Sequence, residues 1–176
     1  STVVAIAIDD FESYGMHEGP VITGTWPGEI YNWDSGSIVT LVDAGAHGGT
    51  QAMQLDYDNE TEAFGSFSET TRSVSGLGDK IKAMEYWFKG SGGNTAEPVY
   101  VAFGDGTTSE LLAKDADTTL AQWKVVRVDM TPLSFAFGDI ETLTIGIGDK
   151  ANPSEGTIGT VYVDDIMLYP ARCIGN

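Results

Sequence analysis

The chain has 176 residues, and 26 acidic against 9 basic side chains give it a formal net charge of −17. A chain of this length can bury a substantial core, and we predict one domain over residues 1–176. The negative charge opposes binding to nucleic acids and to anionic membrane surfaces, so we expect neither as a partner. No apolar run reaches the roughly 18 residues of a membrane span, and the single cysteine, Cys173, allows no internal disulfide.

The first half of the chain predicts four strands around one long loop. These strands cover residues 1–12, 37–42, 51–57 and 70–74, with a glycine-rich turn over 43–50 before the third. The loop over residues 13–36 carries Tyr14, Trp26, Tyr31 and Trp33. Loops of this length in compact domains are usually functional or disordered, and the aromatic side chains disfavour disorder. They either form the wall of a binding groove or simply pack.

The second half predicts six further strands. They cover residues 80–89, 98–103, 111–113, 123–130, 143–149 and 161–169. In the first of them Met84, Tyr86 and Phe88 alternate with Glu85 and Trp87 and are expected to face the core. Only residues 131–140 indicate a short helix or 3₁₀ turn. About ten short strands with almost no helical periodicity predict an all-β fold, a two-sheet antiparallel β-sandwich of the jelly-roll type.

Acidic residues cluster near both ends of the chain. The first strand ends in Asp9, Asp10 and Glu12, and the last strand carries Asp164 and Asp165 in its middle. Adjacent carboxylates inside a strand need partners, because buried unpaired charge is costly. We predict that the first and last strands lie side by side and share a Ca²⁺ ion, which takes carboxylate, carbonyl and water oxygens. The alternative is that these acids face solvent at a sheet edge.

Three segments resemble the galactose-binding-domain-like jelly rolls. They are Asp9-Asp10-Phe11-Glu12-Ser13-Tyr14, Gly49-Thr50-Gln51-Ala52-Met53 and Val161-Tyr162-Val163-Asp164-Asp165-Ile166. This superfamily includes many carbohydrate-binding modules of secreted bacterial polysaccharide-degrading enzymes. Two shorter segments, Trp87-Phe88-Lys89-Gly90 and Leu168-Tyr169-Pro170-Ala171-Arg172-Cys173, are more narrowly similar to modules of large exported proteins from planctomycete-type marine bacteria. The resemblance spans essentially the whole chain.

The resemblance implies a structural Ca²⁺ ion, bound by an acid after the first strand, by loop carbonyls and by an acid of the last strand. Carried over to this sequence, the ligands are Glu12 and Asp164 first, then Asp10, with carbonyl oxygens near Gly49 or Thr50. It also implies a secreted or cell-surface bacterial location and a module of a larger multidomain protein. The first residues lack the basic and apolar regions of a signal peptide, so we expect a mature chain or an excised domain.

A sugar-binding site combines an exposed aromatic plane with hydrogen-bonding groups, and the face opposite the core-facing side chains is expected to provide both. The residues predicted on this face are Glu85, Trp87, Lys89, Tyr100, Arg127 and Asp129. Small residues at positions 102 and 146 leave room for a groove, and Trp33 is a candidate for its wall. The alternative is that Trp87 and Tyr100 pack under a loop as a second small core.

Catalysis has little support in the sequence. The chain has only two histidines, and a zinc site normally needs three nitrogen or sulfur ligands. Facing carboxylates of a glycosidase could come only from Glu85 and Asp129, and a lyase would use Tyr100 beside Arg127. We therefore predict a non-catalytic module that binds a polysaccharide or oligosaccharide. A structural or adhesion module, a jelly-roll glycosidase and a polysaccharide lyase are the alternatives.

Overall fold

The computed structural model describes residues 5–15, 22, 25–26, 28–30, 38–43, 45–60, 67–114, 116–152 and 154–170. Eleven β-strands and one 3₁₀ turn, Phe137–Asp139, make up the regular structure of these residues. The strands are β1 (Ile6–Asp9), β2 (Gly28–Ile30), β3 (Ile38–Val42), β4 (Ala52–Asp58), β5 (Phe67–Ser73), β6 (Ile81–Lys89), β7 (Val99–Gly104), β8 (Ser109–Lys114), β9 (Lys124–Asp129), β10 (Thr142–Gly148) and β11 (Ile158–Pro170). The predicted all-β fold is confirmed.

The strands form two antiparallel sheets that pack face to face. The six-stranded sheet has the order β3-β4-β11-β6-β9, with β1 also paired to β11, and the five-stranded sheet has the order β2-β5-β10-β7-β8. Successive side chains of a strand point to opposite faces, so each sheet has an inner and an outer face. In β6 the predicted alternation is confirmed, because Met84, Tyr86 and Phe88 are at most 3% exposed and belong to the core.

The longest strand, β11, joins the two ends of the chain. Residues 158–163 pair with β4, residues 166–168 pair with β1 on the same edge, and residues 162–170 pair with β6 on the other edge. The register shifts between Asp164 and Met167, at a bulge where Asp165 has a φ of 47°. The prediction that the first and last strands lie side by side is confirmed.

Two short elements differ from the prediction. β2 lies inside the stretch predicted as a loop and pairs with β5 through only three residues. β8 runs over six residues, twice the length predicted for residues 111–113. The 3₁₀ turn lies within residues 131–140, where the sequence indicates it. Among the described residues, no helix has the length and apolar character needed to cross a membrane.

Candidate functional site

The acidic residues of both chain ends meet at one loop, the glycine loop (residues 45–51). Asp164 lies at the bulge of β11 and is 0% exposed. The N–H groups of His47 and Gly48 donate to its Oδ2 at 2.9 and 3.0 Å. The N–H of Asp165 donates to its Oδ1 at 2.8 Å. The loop therefore covers this carboxylate and supplies it with backbone donors.

Glu12 binds the other end of the glycine loop. The N–H groups of Thr50 and Gln51 donate to its Oε1 at 2.7 and 2.8 Å, and the Thr50 hydroxyl donates to Oε2 at 2.7 Å. Gly49 has a φ of +60°, and a Cβ at this position would collide with the Glu12 carboxylate. Glycine suits both the left-handed backbone and the close approach. The glycine-rich turn is therefore built around two carboxylates.

The environments of these two carboxylates shift their pKa values in opposite directions. Burial raises the pKa of Asp164 to about 6; the Asp165 carboxylate adds to this shift and the bond from the Gly48 N–H opposes it. The bond from the Gln51 N–H, together with the Thr50 hydroxyl, lowers the pKa of Glu12. Charge is therefore favourable at Glu12 and unfavourable at Asp164.

The same loop gathers groups that a cation could bind. Ligand atoms of His47, Asp164 and Asp165 lie within 4.8 Å of one another, and His47 Nδ1 is 2.7 Å from Asp165 Oδ2. Carboxylate oxygens fit a hard cation such as Ca²⁺, and Glu12 and Asp164, the two residues named first as its ligands, both contact the loop. Amide hydrogens of the loop point at both carboxylates. The Ca²⁺ site stays a prediction.

The other two residues predicted as metal ligands make local contacts. Asp10 is exposed, and its Oδ1 accepts the N–H of Glu12 at 3.1 Å within a turn. Thr50 meets Glu12 through its N–H and hydroxyl. These contacts place both residues next to Glu12.

Aromatic side chains hold the glycine loop from outside. The His47 ring stacks on Trp87 with centroids 3.6 Å apart and an interplanar angle of 14°, and its edge contact with Trp123 is 6.0 Å. Trp123 Nε1 donates to the carbonyl oxygen of Gly45 at 2.9 Å. Trp87 therefore packs under a loop, which is the alternative that the sequence left open for it.

The predicted sugar-binding face is divided between the two sheets, so the prediction of one shared face is wrong. The members on β6 and β9 of the six-stranded sheet are Glu85, Trp87, Lys89, Arg127 and Asp129. Tyr100 lies on β7 of the five-stranded sheet. Alternation identifies which side chains face outward but does not assign a strand to a sheet. Trp33 lies outside the described residues.

The two carboxylates considered for glycosidase chemistry lie on one sheet. Glu85 Oε2 is 3.0 Å from Arg127 Nε, and Asp129 Oδ1 accepts the N–H and hydroxyl of Thr131 at 2.9 and 2.7 Å. In register, Glu85 is opposite Arg127 and Asp129 is opposite Ala83. They are therefore diagonal neighbours on a surface and do not face each other across a cleft, as the two carboxylates of a glycosidase must.

The outer face of the five-stranded sheet holds a buried charged cluster. Tyr100 is 2% exposed, and its hydroxyl donates to Glu69 Oε2 at 2.6 Å. Lys150 Nζ lies 2.8 and 2.9 Å from the two Glu69 oxygens, and the Glu69 and Lys150 side chains are 4% and 33% exposed. The Tyr100 ring packs directly on Gly146 of β10, where a Cβ would collide with it. A glycine is therefore needed beneath this ring.

A cavity of about 210 Å³ lies beside this cluster, lined by Ala102, Ser109, Leu111, Lys150 and Ala151. Sequence reasoning missed Glu69 and Lys150. The available signal was a glutamate in the middle of a strand, where it needs a partner if its face is covered. A larger cavity of about 330 Å³ lies between β1 and β5 at the edge of the sandwich.

Asp9 has a structural role near that larger cavity. Its Oδ2 accepts the Tyr14 hydroxyl at 2.6 Å and Trp26 Nε1 at 2.9 Å, and it pairs with Arg72 Nη1 at 2.8 Å. Burial, followed by the bond to Asp9, raises the pKa of Tyr14 to about 12. Because Arg72 lies on β5, this ion pair links the two sheets. Trp26 is 0% exposed and packs in the core. For the aromatic residues of the long loop, the sequence left open either this packing role or a place in the wall of a groove.

Comparisons with known proteins place this fold among solved structures. Neither protein-family models nor curated protein sequences match the chain. A family 11 carbohydrate-binding module from Clostridium thermocellum, in complex with a β-1,3-1,4-mixed-linked tetrasaccharide, is similar with a TM-score of 0.64 and 15% identity. The similarity covers 97% of this chain and 98% of that chain.

Two other similar structures are also carbohydrate-binding modules. One, described for specific mannan recognition, has a TM-score of 0.57 and 13% identity and covers 96% of this chain and 99% of its own. The other, a family 22 xylan-binding domain from Paenibacillus barcinonensis Xyn10C, has a TM-score of 0.54 and 13% identity over 87% of this chain and 88% of its own. This chain therefore has the antiparallel jelly-roll β-sandwich fold found in carbohydrate-binding modules.

Proposed function

We propose that this chain is a non-catalytic carbohydrate-binding module that recognises a polysaccharide on the outer face of its five-stranded sheet. The observation that carries the proposal is a common fold, over nearly the whole chain, with modules named for mannan and xylan binding. Fold alone does not assign a ligand. The chemistry of the five-stranded face supplies the second part of the support.

Three side chains on this face offer what sugar hydroxyls require. Tyr100 contributes a hydroxyl, Glu69 contributes acceptors and Lys150, the most exposed of the three, contributes donors. A charged pair buried this deeply is weak evidence for a purely stabilising role, because desolvation offsets much of its attraction. The adjacent cavity of about 210 Å³ is small for a whole ligand pocket and suits one part of an extended chain.

The charge of the site favours a neutral polysaccharide. Lys150 forms its ion pair with Glu69, so the pair adds no net charge to the face. The chain as a whole carries −17, which repels a polyanion. We therefore expect uronic or sulfated glycans to bind less well than neutral ones.

A binding panel tests this site. Affinity electrophoresis with mixed-linked β-glucan, galactan, mannan and xylan should show binding to at least one of them by the wild-type chain. Glu69→Gln, which keeps the shape of the side chain, should weaken it at least tenfold. Glu85→Gln on the other sheet is the matched control and should leave it unchanged. An equal effect of both variants, at equal thermal stability, would place the site elsewhere.

The same panel separates the alternatives. A wild-type chain that binds no glycan supports a structural or adhesion module. Release of reducing sugar that is lost in Glu85→Gln supports a glycosidase, and release of unsaturated products lost in Arg127→Ala supports a lyase. We expect neither product.

We also propose a structural Ca²⁺ ion at the glycine loop, held first by Glu12 and Asp164, with Asp10 and the Thr50 carbonyl as further ligands. A cation there would compensate the buried Asp164 carboxylate and the −17 charge of the chain. Adding Ca²⁺ to the chelated protein should raise Tm by several degrees, since the ion binds only the folded state. Glu12→Gln should abolish the rise and Glu85→Gln should keep it. Identical Tm values in chelator and in Ca²⁺ would contradict this ion.

We infer that the module belongs to a larger secreted or cell-surface bacterial protein. One structural neighbour is itself a domain from a longer named protein, Xyn10C. The origin in planctomycete-type marine bacteria rests on the sequence resemblance. The coding sequence that flanks this chain in its gene should encode an export signal and further domains. A gene that encodes neither would contradict this placement.

A further inference from the structure

The glycine loop divides the outer face of the six-stranded sheet into two parts. It crosses the face at Asp164 and Trp87, which are register partners on β11 and β6. On one side lies the ion pair of Glu85 with Arg127. On the other side, side chains of β4, β11 and β6 stand in register, with a tryptophan just before β9 next to them. This set is the aromatic row: Gln54, Tyr162, Lys89 and Trp123.

Lys89 lies between the two rings of the aromatic row. Its Nζ is 4.5 Å from the Tyr162 ring centroid and 5.1 Å from that of Trp123. These contacts hold the ammonium group by cation–π attraction, which does not require a hydrogen bond from any of its three N–H donors. The Trp123 ring is fixed in turn by its bond to the Gly45 carbonyl. All three side chains are half-buried, so little conformational freedom is left to lose on binding.

Hydrogen-bonded polar side chains lie on the other side of Tyr162. Thr160 Oγ1 donates to Asp56 Oδ1 at 2.6 Å, and Gln54 Nε2 donates to the two Asp56 oxygens at 3.0 and 3.1 Å. A carboxylate has about four acceptor positions, so Asp56 keeps acceptor capacity. Tyr162 is therefore flanked by an acceptor on the β4 side and a donor, Lys89, on the β6 side.

We propose that the aromatic row is a second saccharide-binding surface, which binds a segment of a neutral polysaccharide on the opposite side of the sandwich from Tyr100 and Glu69. Neighbouring hydroxyls on a sugar ring both donate and accept, which matches a donor and an acceptor on either side of an aromatic ring. Asp56 and the net charge of −17 disfavour an anionic chain. The proposal rests on the proposed function, because both surfaces take saccharides.

Two surfaces on opposite sheets give the module a capability that one surface lacks. Each can hold a different polysaccharide chain, so one molecule joins two chains. On a glycan with many copies of the binding segment, simultaneous engagement also raises the overall avidity without new contacts. The expected products are cross-linked polysaccharide and two equivalents of bound oligosaccharide per chain.

Isothermal titration with tetrasaccharides of the panel glycans, and turbidity of the soluble polysaccharides, test the second surface. The variants are Tyr162→Ala and Lys89→Met, the latter keeping the aliphatic stem and so the packing. Arg127→Ala, on the other side of the glycine loop, is the control. The wild type should bind two equivalents and produce turbidity. Both aromatic-row variants should bind one equivalent and lose the turbidity, at a Tm within a few degrees of the wild type.

The result distinguishes the two surfaces. One equivalent in the wild type, unchanged in Tyr162→Ala and Lys89→Met and lost in Glu69→Gln, overturns the second surface and keeps the proposed function. One equivalent that is lost in the aromatic-row variants and kept in Glu69→Gln supports this surface and overturns the five-stranded site. A wild type that binds none of the glycans overturns both.

Discussion

The two sheets each carry one glutamate–cation pair on their outer face, and the two pairs differ in their access to water. Glu69 and Lys150 on the five-stranded side are 4% and 33% exposed, at a separation of 2.8 Å. Glu85 and Arg127 on the six-stranded side are 26% and 61% exposed, at 3.0 Å. The two ion pairs have similar distances but different strengths of attraction, because water screens Glu85 and Arg127 and screens Glu69 and Lys150 only poorly.

The difference in exposure arises from the groups that lie over each outer face. On the five-stranded face Gly146 allows the Tyr100 ring to lie close to the sheet, and the ring and Lys150 both reach Glu69. On the six-stranded face the glycine loop covers Asp164 and Trp87 and leaves the positions on either side of it more exposed. Burial of an outer face thus depends on what lies over it, in addition to the alternation of its strands.

The largest effect is expected for Gly49→Val in the glycine loop. A β-branched residue at a φ of +60° is strained, and its Cβ would collide with Glu12. We expect a loss of about 3 kcal/mol or more, or about 6–12 °C in Tm for a chain of this size. Thermal unfolding followed by circular dichroism measures it. Gly92→Val is the control, because a Cβ at Gly92 meets no atom within 4 Å; equal Tm values for both variants would contradict the packing of the loop.

The next effect concerns the buried pair. Lys150→Met leaves the Glu69 carboxylate, 4% exposed, without its cation, and we expect a loss of about 2 kcal/mol, since Lys150 itself is partly hydrated. Adding Glu69→Gln should recover part of this loss, because it removes the uncompensated charge. Chemical denaturation of the single and double variants measures both steps. A double variant less stable than Lys150→Met would show that charge is not the cause.

A smaller effect is expected from pH. The folded-state pKa of Asp164 is about 6, above its ordinary value of 3.8, so the folded chain binds this proton more tightly. Stability from this group is therefore present at low pH and is lost as pH rises from about 4 to 6. In chelator, the wild type should lose a few degrees of Tm relative to Asp164→Asn between pH 4 and 7.5. Glu12, whose pKa is lowered, acts in the opposite direction below its ordinary value of 4.5. Parallel curves for the two proteins would speak against the burial of Asp164.

The smallest effect is expected for Arg127→Met, the counterpart of Lys150→Met on the six-stranded face. Exposed ion pairs contribute at most about 1 kcal/mol, and salt screens them. The expected loss of Tm is below about 3 °C and should vanish at high salt. A loss as large as that of Lys150→Met would remove the contrast between the two faces.

The positions of most strands in the sequence were predictable, because alternation of side chains and turn residues are local signals. Met84, Tyr86 and Phe88 face the core as expected, and the acids at both ends are in neighbouring strands. The prediction that Glu12 and Asp164 lie near the same loop came from the resemblance to known jelly rolls. Both acids do contact residues 47–51, through amide donors.

Assignment of strands to sheets was not predictable. Tyr100 and Trp87 both face outward, but their strands belong to different sheets, and that depends on pairings between residues far apart in sequence. The Glu69–Lys150 pair spans 81 positions for the same reason. β2 was missed because three residues carry too little periodicity to distinguish a strand from a loop.

Strand β11 has a consequence for how the molecule reaches its native state. It is hydrogen-bonded to β4, β6 and β1, so each of these three earlier strands lacks one of its sheet neighbours until residues 158–170 are available. Folds dominated by such distant pairings have high contact order and fold slowly. A chain that stops before residue 158 loses the centre of a sheet, so we expect it to remain unfolded rather than to form a sandwich with one edge missing.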